Sequence, residues 1–303
     1  MIALEVASAG AFCKPCVIRA SAPSPIACDL RDCYLLHVIN HWLCTGPRAR
    51  ALAPAAGLLA VLWSSGAAGA TAASSPVGPL AVAEVVAGNQ LRLADGRAVR
   101  LAGIRIPTGD AEDAPALAGQ AHAELRALLS GRQVRLALAE APYDRYRRLV
   151  AQVERGDGLW LQGALLERGL AQVQTRPGEA ARAERMLAIE HAARAARRGL
   201  WADAAFAARE ASAALGDAGR FRIVRGRVLR VAPTERFVYL NFGADWRRDF
   251  TVRIAKNVAR RLAGSGVEVA SLAGQRIEIR GFVLEAGGPL IELSHLEQMQ
   301  VLP

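Results

Sequence analysis

The sequence predicts an α+β protein, mainly β, with two small five-stranded barrels following one another along the chain. Three observations carry that prediction. Between residues 77 and 303, short runs with alternating apolar and polar residues outnumber helical stretches. Glycine-bearing turns separate these runs at short intervals. The order three strands, one helix, two strands occurs twice, and that order suits a small Greek-key barrel. A length of 303 residues suits about two domains. A hydrophobic fraction of 52% is ample for packed cores, which must rest on Leu, Val, Ile and Ala because aromatics are few.

The first barrel is expected over 77–206. Pro79–Val86 starts a strand and Asn89–Leu93 continues it. Asp95-Gly96 is a strong hairpin turn. Arg97–Ile104 returns as a strand that Pro107 ends. Ala116–Ser130 is helical, because Leu117, Ala121, Leu125 and Leu128 recur on one face and Gly131 follows. Gln133–Ala139 alternates as a strand, and Asp144–Val153 turns into another. Leu159–Arg168 reads as a helix ended by Gly169, and Gly178–Gly199 as a long Ala- and Arg-rich helix. These last helices would pack outside the barrel.

Residues 207–220 form a small-residue linker, and 221–303 a second barrel. Its strands are expected at Phe221–Val231, Arg236–Phe242, Asp249–Ile254, Gln275–Glu285 and Leu290–Leu293, with a short helix at Ala255–Leu262 between the third and fourth. Ala286-Gly287-Gly288-Pro289 turns the last pair.

The N-terminal quarter has another character. Arg48 and Arg50 precede an apolar run, Ala51–Trp63, and small residues follow it. A basic start, a short apolar centre and an A-x-A end describe a secretory signal peptide over 46–76, with Ala68-Gly-Ala70 and Ala70-Thr-Ala72 as cleavage candidates. The protein is therefore expected in the periplasm or outside the cell; a signal anchor is the alternative, although the run is short of the roughly 20 residues of a span. A leader should stand at the start of a chain, so residues 1–45 read as a misannotated or unstructured extension, with a true start near Val38 or Leu43. All five cysteines (Cys13, Cys16, Cys28, Cys33 and Cys44) fall in this extension. Cys13-Lys-Pro-Cys16 has a redox or metal spacing, but the remaining cysteines are too irregular for a zinc set. No disulfide and no thiol nucleophile are expected in the barrels.

The formal net charge is +10, half of it between 221 and 303. Such a balance favours anionic partners such as nucleic acid. Only Lys14 and Lys256 are lysines, so the basic residues are otherwise arginines, as a GC-rich coding bias also produces. No Ser-His-Asp set, phosphate-binding glycine loop or zinc spacing occurs.

Six stretches of 77–206 occur in an informative order. They are V-V-A-G-N-Q-L-R-L-A-D-G at Val85–Gly96, V-R-L-A-G-I-R-I-P at Val99–Pro107, and G-Q-A at Gly119. D-R-Y-R-R-L-V-A-Q-V follows at Asp144–Val153, L-L-E-R-G-L-A at Leu165–Ala171, and A-R-A-A-R-R-G-L-W at Ala193–Trp201. Together they resemble the staphylococcal-nuclease-like (thermonuclease) family. The resemblance implies an OB-type five-stranded barrel with C-terminal helices. It also implies phosphodiester hydrolysis with Ca²⁺ held by carboxylates, a Glu preparing the water, and two arginines neutralising the phosphate. Hard Ca²⁺ wants oxygen ligands, and positive charge stabilises the phosphoryl transition state.

Carried over residue by residue, both arginines are present, as Arg100 and Arg148, and the acids are not. Asn89 stands for the metal-binding Asp of the first strand, Arg105 for the Asp two before the Pro, and Thr108 for the Glu after it. One amide oxygen does not hold Ca²⁺, a guanidinium repels any cation beside it, and a threonine is no general base at neutral pH. The resemblance therefore implies a Ca²⁺ site that this chain has lost; no metal site and no cofactor are expected. Asp110, Glu112, Asp113 and Asp144 are the acids on which a divergent active nuclease would draw. The family's base-stacking tyrosines have no counterpart in the QVQTRPG stretch after Ala171. For Arg100 and Arg148, phosphate binding and ordinary pairing with Glu or Asp both stay open.

Arg145 and Tyr146 beside the retained arginines, and Arg222, Arg227, Arg247 and Arg248 in the second barrel, are the candidate nucleic-acid contacts, with Tyr239 and Trp246 as aromatic neighbours. The alternative for these groups is a solvated arginine face over core aromatics, Trp246 and Phe250 included; Tyr146 is expected to pack and His295 beside Glu297 to be a turn histidine. The expected function is a lapsed nuclease that binds single-stranded nucleic acid or another phosphate-bearing polymer. An active divergent nuclease and a periplasmic interaction module are the alternatives.

Overall fold

The computed structural model describes residues 76–86, 88–107 and 115–303. Residues 1–75, with all five cysteines and the stretch expected to be a leader, and Thr108, Asp110, Glu112 and Asp113 lie outside the described residues.

The first barrel closes in the order β1-β2-β3-β6-β5. Its strands are β1 (Val77–Val86), β2 (Gln90–Leu93), β3 (Ala98–Leu101), β5 (Gln133–Tyr143) and β6 (Leu149–Arg155), with β4 (Ile104–Arg105) just after β3. β3 and β6 run parallel, Val99 beside Leu149. Such a pair needs a crossover, which α1 (Pro115–Leu129) supplies. Alternation sends Leu91, Leu93, Val99, Leu101, Val134, Leu136 and Val153 into the barrel, where Ala121 and Leu125 of α1 meet them. Outside lie α2 (Leu161–Glu167), β7 (Gln172–Val173, paired with β4) and α3 (Ala183–Ala195).

The helix expected from Gly178 begins only at Ala183, because Arg182 sits in the left-handed region at φ 66°. The carboxylate of Glu179, upstream of that break, is committed elsewhere, as described below. The linker is neither plain coil nor continued helix. It forms 3-10 turns and β8 (Arg209–Glu210), which pairs with the next strand.

The second barrel repeats the topology with bent strands. Its elements are β9 (Phe221–Arg227), β10 (Arg230–Pro233), β11 (Phe237–Asn241), β12 (Thr251–Ala255), α4 (Lys256–Gly264), β13 (Arg276–Phe282), β14 (Leu284–Glu285), β15 (Pro289–Leu293) and β16 (Met299–Leu302). Pairing forms two sheets, β10-β11-β12-β15-β14 and β16-β13-β9-β8. The first expected strand bends at Val228–Leu229 into β9 and β10, and the fourth breaks at Val283 into β13 and β14. Because β9 also pairs with β13, the chain closes the circuit through these two bends. β12 and β15 run parallel, as β3 and β6 do. The edge strand β16 was not visible in the sequence pattern.

Among the described residues both barrels lie in one compact unit. Between them Ala193, Leu200, Trp201, Phe206 and Ile223 form a small apolar core. Beside it is a buried charged network. Ile277 and Ile279 enter the second core, so Glu278 and Arg280 of β13 face the other way, onto α3. Glu278 accepts from both Nη atoms of Arg194 (3.1 Å each), from Arg225 Nε (2.8 Å) and from Arg280 Nη2 (2.8 Å). Glu190 accepts from Arg280 Nη1 and from the Val173 amide, each at 2.7 Å. Burial alone would push the Glu278 carboxyl up; His191, with Nε2 3.9 Å away, and the hydrogen-bonded Arg194 outweigh it and hold the group far below the usual carboxylate range.

Candidate functional site

At one end of the first barrel, the β1–β2 turn, β3, the turn before β6 and the loop after β7 converge. Asn89 sits in the first turn. Its side-chain nitrogen donates to the carbonyls of Ile104 (2.8 Å) and Leu101 (3.3 Å). Carbonyls only accept, so the amide must turn its NH₂ toward them. Asn89 is thereby a staple between the turn and β4.

Arg100 is buried on β3. Its two Nη atoms donate to the two carboxylate oxygens of Glu179, and its Nε lies 3.5 Å from Asp144 Oδ2. Glu179 also accepts from the Gly103 amide at 3.1 Å. Gly103 has φ 76°, a left-handed conformation that favours glycine and brings this amide to the carboxylate.

Asp144 opens a tight turn and caps it, accepting from the amides of Tyr146 (2.9 Å) and Arg148 (3.1 Å). Arg148 Nε donates to Asp144 Oδ2 at 2.8 Å. Burial raises the Asp144 carboxyl, but the Arg148 side chain and these amides pull it below its ordinary value. The carboxylate is thus ionised and occupied. Arg100 and Arg148 are both paired internally, the second of the two arrangements the sequence left open.

Arg105 does not point a bare charge into an empty site. Nη1 donates to Gln172 Oε1 at 2.7 Å, and the guanidinium lies 4.8 Å from the ring centre of Phe221 and 5.7 Å from that of Phe282. Those two rings belong to the second barrel and stack edge to face. The position where the family pattern has an acid therefore joins the barrels.

Residues 98–203 match the family model for staphylococcal nuclease homologues. This part of the chain is a staphylococcal nuclease homologue domain. No curated protein matches the chain.

Among its described residues the nuclease-homologue domain does not present the donor set Ca²⁺ needs, six to eight oxygens at about 2.3–2.6 Å. Asn89 offers N–H groups to its neighbours, a guanidinium occupies position 105, and the nearby carboxylates of Asp144 and Glu179 are held by arginines. Among the described residues no group of three or more His, Cys, Asp or Glu side chains is arranged to hold a metal. These described residues do not fit the ion.

Tyr146 was expected to pack; it is 62% exposed, with Arg145 and Arg148 against its ring at 4.8 and 5.0 Å. Arg176, three residues before Glu179, is exposed; its carbonyl accepts from the Glu179 amide at 2.9 Å, while its side chain makes no hydrogen bond or ion pair among the described residues.

In the second barrel the candidate arginines separate. Arg222 is corrected: it is buried, with Nε on Asp217 Oδ1 at 2.8 Å, because its backbone lies under the linker and the side chain must find an anion there. Arg227 is exposed but donates to the Gly274 carbonyl at 2.6 Å, away from the aromatic residues. Arg247 and Arg248 lie exposed on the β11–β12 loop beside Trp246, with Arg247 4.7 Å from the Trp246 ring centre. Phe250 is core, as the solvated-face reading expected; Trp246, 50% exposed, is not. His295 bridges the barrels rather than serving a turn alone: Nε2 lies 2.7 Å from Thr175 Oγ1 and Nδ1 2.8 Å from Ser294 Oγ.

Sequence reading missed Glu179 and the Arg230 and Arg253 side chains near Trp246. The Arg176-Pro-Gly-Glu179 stretch carried a signal, since Pro-Gly marks a turn that ends any helix reading there.

Proposed function

We propose that the chain is an exported, non-cleaving member of the nuclease family that binds single-stranded nucleic acid or another phosphate-bearing polymer. One observation carries the non-cleaving half. Arg105, where the family pattern has an acid, packs its charge onto Phe221 and Phe282. A cation there would have to displace an interdomain contact and face a like charge. Asp144, a candidate replacement acid, is engaged by Arg148 and Arg100. The binding half rests on exposed arginines beside exposed rings, Arg145 at Tyr146 and Arg247 at Trp246, and on the net charge of +10. Export rests on the leader pattern at 46–76, periplasmic or secreted if cleaved, anchored if not.

The test is incubation of the full protein with single-stranded DNA and RNA, with Ca²⁺ and with chelator, following cleavage and binding across salt. The expected result is no cleavage and binding that weakens steeply with salt. Ca²⁺-dependent cleavage would overturn the proposal and point to Asp110, Glu112 and Asp113. Internal pairing of Arg100 and Arg148 favours a second reading, an interaction module for another protein, which the absence of any polymer binding would support.

A further inference from the structure

We infer that the outward face of β10, β11 and β12 is a stacking site for the bases of a single-stranded nucleic acid; this locates, and rests on, the polymer binding proposed above. Strand alternation divides these three strands cleanly. Val238, Leu240, Val252 and Ile254 enter the core. Arg230, Ala232, Tyr239, Asn241, Thr251 and Arg253 take the other side. That side is a concavity of about 320 Å³, bordered by Trp246 and by the turn at Ala286 and Gly288. It falls at the lower end of the range for small-ligand sites, about 300–1,000 Å³. Small residues in the middle leave the space, and aromatic residues stand at its edges. Phe237 and Tyr239 lie 6.0 Å apart between ring centres, and the Trp246 ring leans against Gly287, where a Cβ would come within 3.3 Å of it.

Charge on this face is unevenly spent. Three nearby carboxylates are occupied: Asp249 accepts from the Asp245 amide, Asp245 from the Arg247 amide, and Glu292 from Arg253. The guanidinium groups of Arg230, Arg247 and Arg248 are exposed and have no carboxylate partner among the described residues. Free cations beside exposed rings and a partly apolar hollow match a ligand with alternating phosphates and planar bases. Single strands present both; a duplex hides its base faces, and a polyphosphate has none. In the first barrel Arg100 and Arg148 are already neutralised, and Arg145 has only the Tyr146 ring beside it; the second barrel, which sets its cations around a hollow, is the better platform.

The test uses the full chain and anisotropy of a labelled oligothymidylate, with duplex DNA and inorganic polyphosphate as competitors. Trp246→Ala and Tyr239→Ala probe stacking, Arg248→Ala probes charge, and thermal melting verifies that each variant is folded. Stacking predicts that Trp246→Ala weakens binding by about tenfold to a hundredfold. Arg248→Ala should lower the salt slope by about one while keeping the preference for single strands. Poor competition by duplex and polyphosphate is expected. Binding unchanged in the Trp246→Ala/Tyr239→Ala double variant would overturn this site while leaving polymer binding intact. Equal competition by polyphosphate would overturn base recognition and leave phosphate binding. No binding of any polymer by the unmodified protein would overturn the proposed function itself, and this site with it.

Discussion

In the first barrel Arg100 lies buried on β3 with its guanidinium divided between Glu179 and Asp144; in the second, Arg230 and Arg247 stand exposed, their guanidinium groups engaged by no carboxylate among the described residues. The two barrels share a strand order, including the parallel pair that follows the crossover helix. They differ in what closes over the arginines. Loop 176–179 brings a carboxylate down onto the end of the first barrel, whereas the loops around Trp246 keep their carboxylates for their own amides. One topology thus carries an internally neutralised arginine cluster and an open, positively charged face. In the first barrel Arg100 and Arg148 thus take their anionic partners from within the chain.

The largest way to break this arrangement is at the junction. Removing the Glu278 carboxylate leaves Arg225 without an anion and Arg194 and Arg280 to share Glu190 alone, and breaking such a buried set costs about 3–5 kcal/mol. Glu278→Ala should therefore lower the urea midpoint sharply; a loss under about 1 kcal/mol would show that the network does not hold the barrels.

Next is Glu179→Ala, which leaves Arg100 buried with Asp144 at 3.5 Å as its remaining anion. The expected loss is about 3 kcal/mol. Added inorganic phosphate should restore part of the melting temperature in the variant and leave the unmodified protein unchanged, which sharpens the contrast between a closed and an open arginine site.

A smaller effect is expected with pH. Burial holds the His295 imidazole below its ordinary value, against the opposing pull of Glu297 and Glu179. The folded state thus keeps it neutral where the unfolded chain, with a value of 6.5, begins to take a proton. Stability should fall as pH drops below about 6.5 and continue to fall until the folded-state value is passed. His295→Gln should flatten that part of the profile, read from midpoints at stepped pH. Asp144 and Glu278 act in a lower window. Their folded values are depressed, so their contribution is complete above the ordinary carboxylate range and is lost as acid protonates them.

The smallest effect is expected at Arg105. Arg105→Ala removes the guanidinium from Phe221 and Phe282, for about 1 kcal/mol. It should also leave Ca²⁺-dependent cleavage absent, because Asn89 still turns its N–H groups onto Ile104 and Leu101.

Much of the fold was legible in the sequence because its causes are local. Asp95-Gly96 marks a hairpin whatever lies elsewhere, and Leu91, Leu93, Val134 and Leu136 alternate into the core as their spacing requires. The expected boundaries failed where distant partners intervene. The helix expected from Gly178 starts late, next to the turn in which Glu179 reaches Arg100, 79 residues away. The long strand from Phe221 bends where the two sheets diverge. β16 goes unseen because a short edge strand takes its partner, β13, from across the fold. At the candidate site, the identities at positions 89, 100, 105 and 148 were readable in one dimension, and their partners were not.

The sequence by itself determined the two barrels, their order, the nuclease-like placement of Arg100 and Arg148, and the substitution of Asn89 and Arg105 where acids are expected. These follow from periodicity, turn chemistry and residue type, which are local. Only the tertiary structure decided that Glu179 and Asp144 neutralise those arginines, that Arg105 docks on Phe221 and Phe282, that Arg222 is buried, and that Trp246 overlooks a hollow lined by Arg230 and Arg253. Each of these depends on which charges and rings meet across long stretches of chain, and a guanidinium's role is set by the anion that reaches it first.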